Sequence, residues 1–112
     1  MQEKVFVYVW EFIVNGTNQV EFERVYGPSG EWAQLFSQGN GYLGTELHQD
    51  QANPMRFLTI DYWLTREDRD AFRLQFAREF QRLDAHCESF TQQEKFLGDF
   101  HCFTNRIPFR DE

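Results

Sequence analysis

From Val5 to Val14 almost every position is β-branched or aromatic. Val5, Val7, Val9 and Ile13 fall on one parity, and Phe6, Tyr8, Trp10, Phe12 and Val14 on the other. A run apolar on both parities predicts a strand buried on both faces, interrupted only by Glu11. Asn15-Gly16 ends it, and Thr17 or Asn18 is placed to cap a helix in which Phe22, Val25 and Tyr26 recur at three- and four-residue spacing. Gly27-Pro28-Ser29-Gly30 interrupts that helix, because proline lacks an amide donor and restricts the residue before it. A second helical piece carries Trp32, Leu35 and Phe36 and stops near Gly39-Asn40-Gly41. Tyr42 to Gln49 and Met55 to Leu64 read as two strands of a hairpin joined by the polar loop 50–54.

Thr65-Arg66-Glu67-Asp68 has a hydroxyl three positions before an acid and predicts one long helix starting at Arg66. Its apolar stripe is Phe72, Phe76, Phe80, Leu83 and Cys87, and Arg69, Asp70, Arg73, Arg78, Glu79 and Arg82 read as a solvated surface. A last strand runs from about Gln93 to Phe103, followed by an irregular tail over 104–112. The order is βαββαβ, an α+β ferredoxin-like arrangement with a four-stranded antiparallel sheet. Such a sheet carries its helices on one face, and the other is ordinarily polar. Here both parities are apolar, in the first strand and again in the third, where Leu58, Ile60, Tyr62 and Leu64 oppose Phe57, Thr59, Asp61 and Trp63. The open face needs a cover, and a second copy of the chain packed sheet to sheet supplies one.

At 112 residues the chain is expected to be a single domain, 1–112, with its core at about 5–103. Aromatics make up 18% of the residues, including 13 Phe, which is more than a core of this size needs and points to a pocket or partner surface lined by rings. The formal net charge of −7 disfavours nucleic acid as a partner. No apolar run is long enough to span a membrane, and the start Met1-Gln2-Glu3-Lys4 lacks a signal-peptide layout, so a cytoplasmic protein is expected. Cys87 and Cys102 are too few for a disulfide framework or a tetrahedral zinc site and are expected to be reduced thiols. The three histidines lack metal-binding spacing, and one glycine after the first strand makes no phosphate cradle, so neither a metal nor a nucleotide cofactor is expected.

Three stretches carry a family resemblance: Tyr26-Gly27-Pro28-Ser29-Gly30-Glu31-Trp32-Ala33 after Phe22-Glu23, Gly41-Tyr42-Leu43-Gly44-Thr45, and Arg56-Phe57-Leu58-Thr59-Ile60-Asp61-Tyr62-Trp63. With Leu83-Asp84, Cys87-Glu88 and Leu97-Gly98-Asp99-Phe100, their ordered set resembles antibiotic biosynthesis monooxygenase (ABM) domain proteins over residues 5–103. The resemblance implies a dimeric α/β barrel formed by two facing sheets, with a pocket between sheet and helices in each subunit. Characterised relatives include cofactor-independent oxygenases of polycyclic or quinol-type aromatics, whose substrate itself supplies electrons to oxygen, and haem-degrading enzymes. The haem branch depends on a helical histidine ligand that the stretch from Glu67 to Ala85 lacks. Trp63 matches the tryptophan that the family commonly places beside its ligand.

Asp61 shares the parity of Trp63, and Glu11 lies on the neighbouring first strand. A buried carboxylate with a raised pKa could take a proton from a phenolic substrate, so both are candidate catalytic groups. Either could instead sit in an ion pair with Arg56 or Arg24, and the pattern does not say which parity of the first strand faces the helices. Tyr26, Trp32 and Tyr42 cluster around the broken first helix and, with Trp63 and Arg56, are candidate substrate contacts. The expected function is an ABM-type, cofactor-independent monooxygenase acting on a hydrophobic aromatic small molecule as a homodimer. The alternatives are a non-catalytic small-molecule-binding or stress-response barrel, and an isomerase or decarboxylase using one carboxylate as base.

Overall fold

A computed structural model describes residues 3–105; the predicted tail beyond Asn105 lies outside the described residues. The order of elements is β1 (Glu3–Val14), a 3-10 turn (Gly16–Asn18), α1 (Gln19–Tyr26), α2 (Glu31–Phe36), β2 (Tyr42–Gln49), β3 (Arg56–Trp63), α3 (Arg66–Gln75), α4 (Ala77–Cys87), a second 3-10 turn (Glu88–Phe90) and β4 (Thr91–Thr104). The four strands form one antiparallel sheet in the order β2-β3-β1-β4, the ferredoxin-like topology that the sequence predicts.

The register of β1 against β3 and the packing of the helices together settle which parity faces the helices. Phe6, Tyr8, Trp10 and Phe12 lie opposite Trp63, Asp61, Thr59 and Phe57. Paired residues project to the same side of a sheet. The main core is built on that side: Phe6, Tyr8, Phe12, Val14, Phe57 and Trp63 pack with Phe22, Val25 and Tyr26 of α1, Trp32, Leu35 and Phe36 of α2, and Phe72 of α3. On the other face Val5, Val7 and Tyr62 form a small cluster with Leu43, Ile60 and Cys102.

The corner between α1 and α2 forms as Gly27 to Gly30 predict. Gly30 donates to the Gly27 carbonyl at 3.0 Å, and a Cβ there would collide with the carbonyl oxygens of Arg24 and Val25, so only glycine permits this approach. The β2–β3 loop is held by side chains: Asp50 accepts from the Ala52 amide at 2.8 Å and Asn53 from the Met55 amide at 3.1 Å.

The single helix predicted from Arg66 is bent into two. Thr65 caps it by accepting from the Asp68 amide at 3.1 Å, but Phe76 leaves helical geometry at φ −111°, ψ 26°. Hydrogen bonds run across the bend, from the Phe76 amide to the Phe72 carbonyl and from the Phe80 amide to the Phe76 carbonyl. The two segments serve different parts of the core: Phe72 meets Phe36 and Trp63, whereas Phe80 meets Trp32 edge-on at 5.0 Å. Arg69 also departs from expectation. It is 2% exposed rather than solvated, donating to both carboxylate oxygens of Asp99 and to Asp70 while its guanidinium covers the rings of Phe6 and Tyr8 at 4.8 and 5.0 Å. Helical spacing assigned it to the polar face; the edge strand β4 pairs Asp99 with Tyr8, next to a register shift at Val9 and Trp10, and so brings its carboxylate up on the helix side to meet Arg69.

Candidate functional site

Between the helix-facing side of β1 and the α3–α4 bend lies a cavity of about 220 Å³. Tyr8, Trp10 and Phe12 form its floor, and Tyr26, Trp32, Arg73, Phe80, Asp84 and Glu94 complete the lining, with the Trp32 and Phe80 rings in edge contact. The floor is the even parity of β1. Arg73, Phe80 and Asp84 are spaced by seven and four residues, one side of a helix, and that spacing is the signal by which sequence could have found them. A pocket walled by rings with a few charged groups suits a flat aromatic ligand, and its volume lies below the roughly 300 Å³ at which pockets for drug-sized molecules begin. A larger cleft of about 520 Å³ near Lys4, Arg66 and Phe100 shares none of these aromatic walls.

Directly behind the floor sits Asp61, opposite Tyr8 in the strand register and 5% exposed. It accepts a 2.6 Å hydrogen bond from Thr45 Oγ1, whose oxygen is in turn 2.6 Å from the Tyr42 hydroxyl. Burial pushes the Asp61 carboxyl up to about 7, against the opposing pull of the Thr45 hydrogen bond and the Arg73 charge. Burial likewise holds Tyr8 well above the ordinary tyrosine range, with the Asp61 charge adding to it. Tyr42 is pushed up to about 12 by burial. Tyr26 is raised by burial and by the neighbouring Cys87. All three phenols are therefore neutral donors at physiological pH. The Trp63 and Trp32 indole N–H groups, both buried, lie toward the Tyr8 and Tyr26 hydroxyls without reaching hydrogen-bond geometry.

The candidates named from sequence divide between three places. Tyr26 and Trp32 line the cavity. Asp61, Trp63 and Tyr42 lie behind it: Trp63 is completely buried against Phe36, Tyr42 and Phe72, and Tyr42 borders a shallow hollow with Pro28 and Leu43. Glu11 and Arg56 lie on the opposite face of the sheet from the cavity. There the Arg56 guanidinium clasps the Glu11 carboxylate at 2.7 Å and reaches Asp50 at 3.2 Å. Glu11 thus takes the ion pair that its neighbourhood offered. Tyr8, Trp10, Phe12, Arg73, Phe80, Asp84 and Glu94 were not singled out by sequence. Among the described residues no group of His, Cys, Asp and Glu side chains is placed to hold a metal ion.

No family model and no curated protein matches the sequence. Solved structures do match in fold. SnoaB, a cofactor-independent oxygenase from Streptomyces nogalater, superimposes with a TM-score of 0.63 at 20% identity, over 94% of this chain and 95% of its own. A Bordetella bronchiseptica protein assigned as an antibiotic biosynthesis monooxygenase matches with a TM-score of 0.62 at 16% identity, over 94% and 99% of the two chains. A Pseudomonas aeruginosa protein matches with a TM-score of 0.59 at 17% identity, over 94% and 96%. The resemblance of the sequence to ABM domain proteins is therefore matched in three dimensions, and this chain has the ferredoxin-like fold of the proteins that carry that name.

Proposed function

We propose that the chain is an ABM-type, cofactor-independent monooxygenase, one domain acting in the cytoplasm as a homodimer, that oxidises a hydrophobic aromatic molecule held in the cavity over Tyr8. The observation that carries this reading is an aromatic-walled cavity whose floor is a neutral tyrosine backed by a buried carboxyl poised near 7. The proteins of this fold include a cofactor-independent oxygenase, and both described cysteines are free, as in a reducing compartment.

The chemistry balances with oxygen and substrate alone. A phenol-type ring going to a quinone loses its hydroxyl hydrogen and the hydrogen of the carbon being oxidised. One atom of dioxygen stays on that carbon as a carbonyl, and the other leaves as water with both hydrogens. The four electrons come from the ring. The protein's tasks are to hold the ring flat, to exclude water and to meet developing negative charge on oxygen with a donor. The wall residues do the first two, and the Tyr8 hydroxyl supplies the donor. Asp61 does not reach the cavity; burial keeps Tyr8 protonated and the charge of Asp61 adds to that, so Asp61 acts as a positioning residue through Tyr8.

The homodimer rests on the open face. The half-buried Ile60 and Leu43 flank a small cluster of Val5, Val7 and Tyr62 there, and β4 is a 14-residue edge strand that exposes Phe100 on the same face. A second copy covers both features.

Oxygen uptake with 1-naphthol, matched by the 1,4-naphthoquinone formed, tests the function. Uptake that falls at least tenfold in Tyr8→Phe supports the reading. Saturable binding of the same probe with no uptake overturns it in favour of a binding protein.

A further inference from the structure

The geometry points to Arg73 as the residue that selects the substrate, by pairing with an ionised oxygen at one end of a planar aromatic body; this rests on the cavity being the substrate site. Four arginines have carboxylate partners: Arg24, Arg56, Arg66 and Arg69. Among the described residues Arg73, Arg78 and Arg82 have none. Arg78 and Arg82 are exposed, whereas Arg73 is half-buried and lines the cavity, its guanidinium 5.2 Å from the centre of the Tyr8 ring. A half-buried cation with no carboxylate in ion-pair contact is costly, and the face of one ring and the more distant charge of Asp61 offset only part of that cost. An anion arriving in the cavity would complete its surroundings.

The cavity is also polarised. Its two carboxylates, Asp84 and Glu94, lie away from Arg73. Glu94 is opposite Phe12 in the strand register, four residues along β1 from Tyr8, which is about 13 Å at about 3.3 Å per residue. Asp84 lies on α4, eleven residues beyond Arg73 and past the bend at Phe76. An anionic group is attracted at the Tyr8 end and repelled at the Phe12 end, so the ligand has one orientation. Its ionised oxygen meets Arg73, its rings lie over Trp10 beside the touching rings of Trp32 and Phe80, and a neutral or hydrogen-bond-donating end faces Asp84 and Glu94. The class is an aromatic carboxylate or an acidic phenol. In the phenol case Arg73 holds the oxygen through which the ring releases its electrons.

Calorimetric titration with two isosteric probes, 2-naphthoate and 2-naphthamide, tests this. The wild type is expected to bind the naphthoate at least tenfold more tightly, as a charge-assisted guanidinium–carboxylate contact requires. Arg73→Gln is expected to abolish that preference while changing naphthamide binding by less than twofold, and Arg73→Lys to retain part of it. Melting curves establish that each variant is folded, and the wild-type ratio decides the matter even if one is not. Equal binding of the two probes by the wild type, or an Arg73→Gln variant that loses both equally, overturns the role of Arg73 and leaves the cavity intact as a site. Failure of both probes to bind overturns the cavity reading and this inference together.

Discussion

Thr45 and Asp61 face each other across β2 and β3, and the Thr45 hydroxyl gives its only hydrogen to the buried carboxylate at 2.6 Å. The Tyr42 hydroxyl, also 2.6 Å from that oxygen, must then be the donor to Thr45. Three residues from the hairpin thus form one chain of hydrogen bonds pointed at Asp61. That chain stabilises the ionised carboxyl, yet burial outweighs it and the group sits near 7.

The pH dependence follows from the sign of that shift. Asp61 holds its proton more tightly folded than unfolded, so its contribution to stability is complete below about 4 and is lost as pH rises to about 7. The change is worth on the order of 4 kcal/mol at most. Asp61→Asn mimics the protonated form. Chemical denaturation should find it as stable as wild type near pH 4 and more stable by about 2–4 kcal/mol at pH 8.

Arg69 should matter to the fold more than any other charged residue on α3. Arg69→Met removes the partner of Asp99 and the cover of Phe6 and Tyr8. Urea unfolding should show a loss of about 2–4 kcal/mol. Arg66→Met, which removes only an exposed pair with Asp70 and a 4.0 Å approach to Asp99, should cost less than about 1 kcal/mol.

Gly41 holds φ +85° at the entrance to β2, and its carbonyl accepts from the Leu64 amide. A Cβ there would strike the Asp68 carboxylate. Gly41→Ala should lower stability by about 1–3 kcal/mol, and in thermal unfolding a Gly41→Ala, Asp68→Ala pair should regain only the part lost to the carboxylate, because the Cβ of residue 68 stays 2.9 Å away and the backbone strain remains.

Phe100 lies opposite Val7 on the open face and is 47% exposed. Because the single chain does not bury it, Phe100→Asp should leave the fold and its melting in dilute solution intact while converting a dimer to a monomer in sedimentation velocity. An unchanged sedimentation coefficient, with wild type dimeric, would exclude this face as the contact.

Trp32 and Trp63 should part company in ligand binding. Trp32 is on the cavity wall, whereas Trp63 is enclosed by Phe36, Tyr42 and Phe72. Trp32→Phe should weaken 2-naphthoate binding several-fold, and Trp63→Phe should leave it within about twofold. The Trp63 N–H lacks a partner at hydrogen-bond geometry, so its removal offsets part of the lost packing and the stability cost should stay near 1–2 kcal/mol.

Strands, helices and their order were legible from period alone, because an apolar stripe needs no knowledge of what covers it. Val5 to Val14 declared a strand with two covered faces, and Gly27-Pro28-Ser29-Gly30 declared the corner between α1 and α2. Asp61 was legible as an acid amid apolar neighbours on a strand. What sequence left open was direction and company. Whether Glu11 or Tyr8 faces the helices depends on which side of the sheet the helices pack, and only the contacts of α1, α2 and α3 with Phe6, Tyr8 and Phe12 decide it. That single choice sends Glu11 to Arg56 on the open face and makes Tyr8 the cavity floor. The burial of Arg69 and the half-burial of Arg73 are likewise tertiary facts. Helical spacing places both on the polar side, but the edge strand β4 brings a carboxylate to the first and none to the second. Local pattern fixes which faces are apolar; the distance between faces, and therefore every pairing of charges and every cavity, comes from how the chain closes on itself.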